Sequence, residues 1–346
     1  SVTYIMVNEN ILKHIEDGKM PVASLDIASL SDLDIGSANK VSNTLSTLEL
    51  EREIQILDHL LNVSEDRFDV NFDEIFINKL NSDREEIREI SIRGLWEYDE
   101  RTLIEPLLEK LTEDDSTAVR IAAAIGIRRF SILAEEGKLL DRDSDKIYET
   151  LQSLIDDDHS DIQEEIPVDI KRRIIEALSP YNTPEIHDII LDNYHSLDER
   201  LRASAIFSMG ENGDSDWIPY ILDEMDNSNP EIRFEAAGAA GRIGDESLIP
   251  DLARMGNDDS FEVVSQVITA LNLIGGSNSI KVLTRFLQHE NNNVRSVAQD
   301  ALENMEKEQL SIEEISKGNI YEPFSSPAEE LDEIFSNFDE GLEDID

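Results

Sequence analysis

Two groups of residues in the sequence have the side chains and the spacing of metal ligands. In the first group, Asp141, Asp143 and Asp145 alternate along the chain, like the carboxylates in the first half of a calcium-binding loop. Such a loop needs a glycine where Lys146 stands and a closing glutamate where Gln152 stands. We therefore expect no calcium site here.

In the second group, Asp188, Asp192 and His195 are spaced at i, i+4 and i+7, which would place them on one face of a helix. Metal ligands have this spacing, but a solvated polar face has it far more often. The chain also has no cysteine, no Gly-x-Ser-x-Gly segment, no phosphate-binding loop and no dinucleotide-binding fingerprint. We predict no catalytic residue, no cofactor and no metal site.

The charge of the chain excludes some partners and favours others. Its 346 residues include 30 Lys and Arg against 77 Asp and Glu, which gives a formal net charge of −47. Such a surface repels phosphate backbones and anionic membranes, so we expect no nucleic-acid partner and no membrane partner. The acidic residues could serve another protein with a basic surface, or they could serve solubility alone.

The sequence also has features that bear on location. It has no apolar run of about 18 residues, the length that could span a membrane. The first ten residues lack the basic and apolar regions of a signal peptide. We therefore predict a cytoplasmic protein and take the monomer as its default state.

An aliphatic residue recurs along the chain every 31 or 32 residues, with one longer gap of 51 residues between Val119 and Ile170. This repeat predicts the elements that position all these side chains. From Ile170 onward the distance is 31 residues, and the following residue is basic at six of seven positions. A fixed period of about 31 residues is the signature of a solenoid of stacked repeats. The aliphatic positions are Ile87, Val119, Ile170, Leu201, Ile232, Val263 and Val294.

Seven residues after each aliphatic position the side chain is small, and the residue after that is apolar. Small side chains on one helix face let neighbouring backbones approach each other. We predict that the repeats stack at this face and that a larger side chain there would overpack the joint. The small positions are Gly94, Gly126, Ala177, Ser208, Ala239, Ala270 and Ala301.

Each repeat is predicted to be a helical hairpin. Gly213, Gly244 and Gly275 stand where a first helix would end in the left-handed conformation, and a second helix follows at once. The predicted core positions of the second helices are Leu107, Ile190, Ile221, Leu252 and Leu283. The fold class is therefore all-α: an α-solenoid of about seven to eight stacked hairpins in a right-handed superhelix.

The repeat pattern divides the chain into three parts. We predict a cap or a partly disordered segment at 1–48 and the repeat solenoid at 49–310. An insertion around 130–168 lengthens one hairpin. Insertions in solenoids lie in loops that are often on a binding face, and the alternative is an insertion that is merely tolerated. The remaining residues, 311–346, are predicted to form an acidic, disordered tail.

The tail contains one pattern of its own. Leu331, Ile334, Phe335 and Phe338 would form a single apolar stripe if the segment became helical. Such a stripe could dock into a groove, and the alternative is an inert tail that only aids solubility.

The residue types of the repeats resemble a known family. In "NPEIRFEAAGAAGRIGDESLIPDL" and "DERLRASAIFSMGENGDSDWIPYIL", an Asp or Asn precedes an aliphatic residue and Arg. A helix rich in small residues, a glycine turn and a helix with an early Pro follow. Over about 80–310 this pattern is similar to HEAT-like repeats of the phycobilisome-lyase type, within the HEAT and armadillo class. The resemblance implies an α-solenoid, and its members serve as scaffolds, assembly factors, chromophore lyases, a hydroxylase and DNA-repair enzymes.

The resemblance implies structural roles for several residues. In this family the Arg after the aliphatic position commonly joins an Asp–Arg ladder between repeats. The hydroxylase branch holds two irons with repeated His-Glu pairs, whereas this chain has the single pair His289-Glu290. The repair-enzyme branch needs a basic surface, which a net charge of −47 does not supply. The arginines expected to be structural are Arg88, Arg120, Arg202, Arg233 and Arg295.

We therefore predict a non-enzymatic protein-binding scaffold or assembly factor. It would use the concave face of the solenoid, mainly the second helices, to bind a protein with a basic surface. A chromophore-lyase-like or cofactor-assembly enzyme and an acidic mimic of nucleic acid remain alternatives. The predicted partner-binding residues are Tyr220, Asp223, Glu224, Asp226, Asp251, Phe335 and Phe338. Trp217 shares its repeat position with mostly apolar residues and is predicted to lie in the core.

If the acidic residues serve a partner, they should form a continuous row along the second helices. Glu109, Glu113, Asp114 and Asp258 would belong to that row as well. The basic residues of the same helices would interrupt it, and these are Lys110, Arg254, Lys281 and Arg285.

Overall fold

The computed structural model describes residues 9–18, 20–157 and 166–317, and the side chains of 9–18, 20–155 and 166–307. Within these ranges the chain forms seventeen α-helices and no strand, so the all-α prediction is confirmed. The first eight are α1 (Glu9–Glu16), α2 (Ile35–Ser46), α3 (Leu50–Asp66), α4 (Asp73–Lys79), α5 (Glu85–Gly94), α6 (Ile104–Glu113), α7 (Thr117–Glu135) and α8 (Asp141–Asp157). The others are α9 (Val168–Leu178), α10 (Pro184–Tyr194), α11 (Glu199–Asn212), α12 (Ile218–Glu224), α13 (Pro230–Ile243), α14 (Ile249–Met255), α15 (Phe261–Ile274), α16 (Gly276–Phe286) and α17 (Asn292–Lys317).

The chain divides into two compact units, residues 1–282 and 283–346. In the first unit, six helical hairpins follow one another from α3–α4 to α13–α14, and each first helix packs against the first helix of the next hairpin. The first helices α11, α13 and α15 begin 31 residues apart. In the second unit, α17 continues to Lys317, past residue 310 where the repeats were predicted to end.

Local sequence explains where each hairpin begins and turns. The Asp198 and Asn229 side chains cap α11 and α13 by accepting hydrogen bonds from main-chain N–H groups of the first helical turn. Gly213 and Gly244 end the same helices with φ of 73°, a left-handed conformation that glycine adopts without steric cost. The hairpin turns therefore lie where the glycines predicted them.

The first helices of neighbouring hairpins lie backbone to backbone. A Cβ atom added to Gly210 of α11 would come within 2.5 Å of the Ala239 Cα atom of α13, and one added to Gly241 would come equally close to the Ala270 Cα atom of α15. Ala239 and Ala270 have no exposed surface. The small residues thus form the joint between repeats, as predicted, and glycine is needed opposite them.

The repeated arginines connect the loops on one side of the stack. Arg233 donates to the Asn227 carbonyl oxygen at 2.8 Å, before its own helix. Its guanidinium also donates to both carboxylate oxygens of Asp258, at 2.6 and 2.8 Å, after the second helix of the hairpin. Arg88 makes the equivalent bidentate contact with Asp114, at 2.8 and 2.8 Å. These arginines are structural, as the resemblance implied, and the two aspartates are their partners.

A network of charged residues links the first helices α7, α11 and α13. Arg128 and Arg242 both contact the Glu211 carboxylate, and both guanidinium groups lie over the Phe207 ring. Close by, burial raises the pKa of Glu235 to about 7, while the charge of Arg242 opposes the shift. The native state therefore binds a proton at Glu235 more tightly than the unfolded chain does.

This pKa predicts a pH-dependent stability. The stability that a protonated Glu235 contributes is present below its ordinary pKa of 4.5 and is lost as the pH rises through 7. Relative to the natural chain, Glu235→Gln should therefore gain about 1–3 kcal/mol of unfolding free energy between pH 5 and pH 8. Urea denaturation at both pH values measures this. The exposed Glu246→Gln serves as the control, and an equal pH dependence in both variants would contradict the prediction.

Candidate functional site

Two neighbouring second helices, α10 and α12, form one surface, and three of the seven predicted binding residues lie on α12. The Tyr194 and Tyr220 rings meet edge to face with centroids 5.4 Å apart, and the His187 and Trp217 rings are 4.8 Å apart. Trp217 is buried, as predicted, and its indole N–H donates to Asn212 Oδ1 at 2.8 Å. These ring contacts hold the two helices at a fixed spacing.

The exposed charged side chains of α10 and α12 are all acidic. Asp192 and Asp223 are exposed at equivalent positions of α10 and α12, 31 residues apart. Neither 174–199 nor 203–232 contains a Lys or an Arg. We call this surface the acidic face and define it by the exposed residues Glu185, Asp188, Asp192, Asp216 and Asp223.

Tyr220 and Asp223 are accessible to a partner. Tyr220 is half-buried, and Asp223 lies nearly one helical turn after it and is exposed. His187, which sequence reasoning did not select, is also half-buried, and its Nε2 atom lies 2.9 Å from Asn182 Oδ1. Its repeat position is the feature of the sequence that could have identified it. His187 directly follows Ile186, and Ile186 is equivalent to Trp217 of the next repeat.

Glu224 is not a surface residue, which corrects the prediction that it binds a partner. It is only 2% exposed, and its carboxylate accepts hydrogen bonds from Tyr194 Oη at 2.7 Å, from Asn227 Nδ2 at 2.7 Å and from Arg202. Burial alone would raise the pKa of Glu224, but these hydrogen bonds outweigh burial and lower it. For Tyr194, burial and then the Glu224 hydrogen bond raise the pKa to about 12. The buried Glu224 carboxylate therefore links the α9–α10 hairpin to the α11–α12 hairpin.

The different surroundings of Glu224 and Asp223 predict that substitutions at these adjacent residues change stability to different extents. Glu224→Gln should lower the free energy of unfolding by about 1–3 kcal/mol, because it removes the charge that Arg202 and Tyr194 bind in the interior. The exposed Asp223→Asn should change stability by less than about 0.5 kcal/mol. Chemical denaturation measures the free energy of unfolding of both variants. An equal loss in Glu224→Gln and Asp223→Asn would contradict the burial of Glu224.

The acidic row is interrupted after α12. Arg254 of α14 contacts Asp226 and lies 3.4 Å from Asp251, so both carboxylates are already paired with a cation. Asp114 and Asp258 are held by Arg88 and Arg233, as described above. The prediction of a continuous row along all second helices is therefore wrong, because the repeat arginines and Arg254 neutralise part of it.

The remaining predicted residues lie elsewhere. Phe335 and Phe338, with the rest of the tail stripe, fall outside the described residues. Asp188 and Asp192 share the exposed side of α10, and Asp143 lies in the first turn of α8 and contacts Arg101 at 2.9 Å. In the part of the chain that the structure describes, no three His, Asp or Glu side chains are grouped closely enough to hold a metal ion.

Comparison with known proteins agrees with this architecture. Residues 188–272, which run from α10 into α15, match the family described as HEAT repeats. No curated protein matches the sequence significantly. None of the helices in the described ranges is long and apolar enough to cross a membrane.

Several solved structures with HEAT-type architecture resemble the chain at low identity. The complex of CpcE and CpcF of phycocyanin lyase from Nostoc sp. PCC7120 is 14% identical, with 79% of this chain and 95% of that chain covered and a TM-score of 0.48. Human deoxyhypusine hydroxylase is 13% identical, with 86% and 96% covered and a TM-score of 0.33. Importin beta is 13% identical, with 84% and 43% covered and a TM-score of 0.41. At such identities a likeness concerns the fold alone.

Proposed function

We propose that this HEAT-repeat chain is a non-enzymatic protein-binding module that holds a basic partner on the acidic face. The observation that carries the proposal is the local charge. Five exposed carboxylates lie on α10, α12 and the turn between α11 and α12, and 174–199 and 203–232 contain no Lys or Arg. Opposite charges on a partner would be attracted to this surface, and partners of like charge would be repelled.

The aromatic residues of the same surface support a basic partner. Tyr220 is half-buried, and Asp223, three residues later on the same helix, is exposed. An arginine side chain could stack its guanidinium on such a ring while it pairs with the carboxylate. A partner segment rich in arginine or lysine therefore fits this surface better than an apolar segment does.

Side-chain contacts link the two helices that carry the acidic face. Tyr194 of α10 donates to Glu224 of α12 at 2.7 Å, and the ring contacts between the two helices reinforce this link. A surface that does not rearrange loses less entropy when a partner binds. The buried Glu224 thus supports the binding surface although it does not form part of it.

Affinity capture from cells of the native host tests the proposal. The bait is the natural chain, and the variant carries Asp188→Asn, Asp192→Asn and Asp223→Asn. We expect a protein with a basic surface to be retained by the natural chain, lost from the variant and released by salt. If both baits retain the same proteins, the acidic face is not the binding surface.

A further inference from the structure

Two ion pairs of the first helices join hairpins that are not consecutive. Arg128 of α7 pairs with Glu211 of α11, 83 residues later, although α9 packs against both of these helices. Arg172 of α9 lies 4.0 Å from the Glu231 carboxylate of α13, and α11 packs against both of those helices. In a repeat array each repeat normally contacts only its neighbours. The two ion pairs therefore add direct links between hairpins that have another hairpin between them.

The short length of α9 explains how Arg128 reaches Glu211. Ser179 is equivalent to Arg128 in the repeat, but α9 already ends at Leu178, and Ser179 has no exposed surface. The helices on both sides of α9 continue past the equivalent position. The arginine and the glutamate therefore stand at positions that the intervening helix does not reach.

A third charged residue and an aromatic ring complete this cluster. Arg242 of α13 contacts the Glu211 carboxylate at 3.2 Å. The Arg128 and Arg242 guanidinium groups lie 4.9 and 4.5 Å from the centroid of the Phe207 ring, close enough for cation–π attraction. The Glu211 side chain is only 15% exposed, so salt screens these contacts less than it screens surface ion pairs. We call this cluster the clasp and define it by Arg128, Phe207, Glu211 and Arg242.

We propose that the clasp is a conformational latch. When it is closed, it holds α7 and α11 together across α9, and when it opens, the hairpins of α7 and α11 move apart with their helices intact. Arg128 Nε and Arg242 Nη2 are buried and have no hydrogen-bond partner among the described residues. Such a donor costs free energy, and hydration returns this free energy when the site opens. The closed clasp is therefore poised to open.

The distance between two spin labels, measured by pulsed electron paramagnetic resonance, tests the proposal. The chain has no cysteine, so Glu135→Cys at the end of α7 and Ser215→Cys just after α11 give two specific attachment sites. Both residues are exposed. In the labelled full chain, Arg128→Gln should lengthen the distance by about 2–4 Å and broaden its distribution. This range follows because each of the joints α7–α9 and α9–α11 can open by about 2 Å within the usual spacing of packed helices.

Further variants locate the effect in the clasp. Glu211→Gln should lengthen the distance at least as much as Arg128→Gln does, because Arg242 loses its partner as well. The variant with both substitutions should lengthen it no further than Glu211→Gln alone, since the two changes break the same contact. Arg254→Gln is the matched control, because it removes an exposed ion pair on α14, outside the clasp, and should leave the distance unchanged.

Far-UV circular dichroism of the same labelled variants distinguishes opening from unfolding, and we expect an unchanged helical signal. An unchanged label distance in both Arg128→Gln and Glu211→Gln would overturn the proposal, because the joints between repeats would then hold the hairpins without the clasp. An equal lengthening in Arg254→Gln would overturn it as well. So would a lengthening that occurs only with a loss of helical signal, because the helices would then have unfolded instead of moving apart.

Discussion

Ala239→Leu should lower the free energy of unfolding by about 2–3 kcal/mol, and Ala270→Leu should do the same. Ala239 has no exposed surface, and its Cα atom lies where a Cβ atom on Gly210 would clash, at 2.5 Å. The three additional carbon atoms of leucine have no space at this joint, so α11 and α13 would have to separate. Chemical denaturation of the full chain measures the loss.

The matched control is Ala118→Leu, at an exposed alanine of another first helix, α7. Alanine and leucine have similar helix propensities, so the control should lose less than about 0.5 kcal/mol. Equal stability of the Ala239→Leu variant and the natural chain would show that the small residues do not form the joint between repeats.

Neutralising the acidic face should slow the association of a basic partner by about tenfold and change its dissociation much less. The variant carries Asp188→Asn, Asp192→Asn and Asp223→Asn. All three residues are exposed, so the substitutions remove long-range attraction without disturbing the interior. Stopped-flow or surface-based kinetics with the partner retained in the capture experiment gives both rate constants.

A second triple variant separates local charge from net charge. Glu51→Gln, Glu86→Gln and Glu100→Gln remove the same number of charges at exposed positions away from the acidic face. This control should associate at a rate close to that of the natural chain. If both variants slow association equally, the total charge acts on the partner and the acidic face has no special part.

The repeat architecture was predictable from the sequence because each repeat has the same residue types at the same spacing. Gly244 ends a helix, Ala239 and Ala270 stand at the joint, and Ile221 and Leu252 fill the core at constant spacing. A single sequence therefore contains several independent copies of one pattern. The glycines opposite the small residues, Gly210 and Gly241, stand two residues after the small position of their own helix, and they too are 31 residues apart.

The contacts of individual acidic residues were not predictable in this way. Asp223 and Glu224 are adjacent in the sequence, yet only Asp223 is exposed. The difference arises because Tyr194 and Arg202, which lie 30 and 22 residues away in the chain, reach the Glu224 carboxylate. Spacing within one helix does not report such contacts between elements.

An apolar groove between α5 and α7 illustrates a second limit. Ile125 belongs to the hydrophobic pattern of α7 as much as the buried Ile127 does. Ile125 is nevertheless 54% exposed, whereas Ile127 has no exposed surface. Only the placement of α5 beside α7 shows that Trp96 lies against it in one groove.

The central claim is that the acidic face binds a basic partner by charge, and the salt dependence of the association rate tests it most directly. Exposed charges are screened within about 8–10 Å at about 0.1–0.15 M salt. Between about 50 mM and about 500 mM salt, the association rate of the captured partner should therefore fall at least about tenfold. For the Asp188→Asn, Asp192→Asn, Asp223→Asn variant the fall should be smaller. An association rate that is the same at both salt concentrations would show that the acidic residues serve solubility and that the partner binds elsewhere.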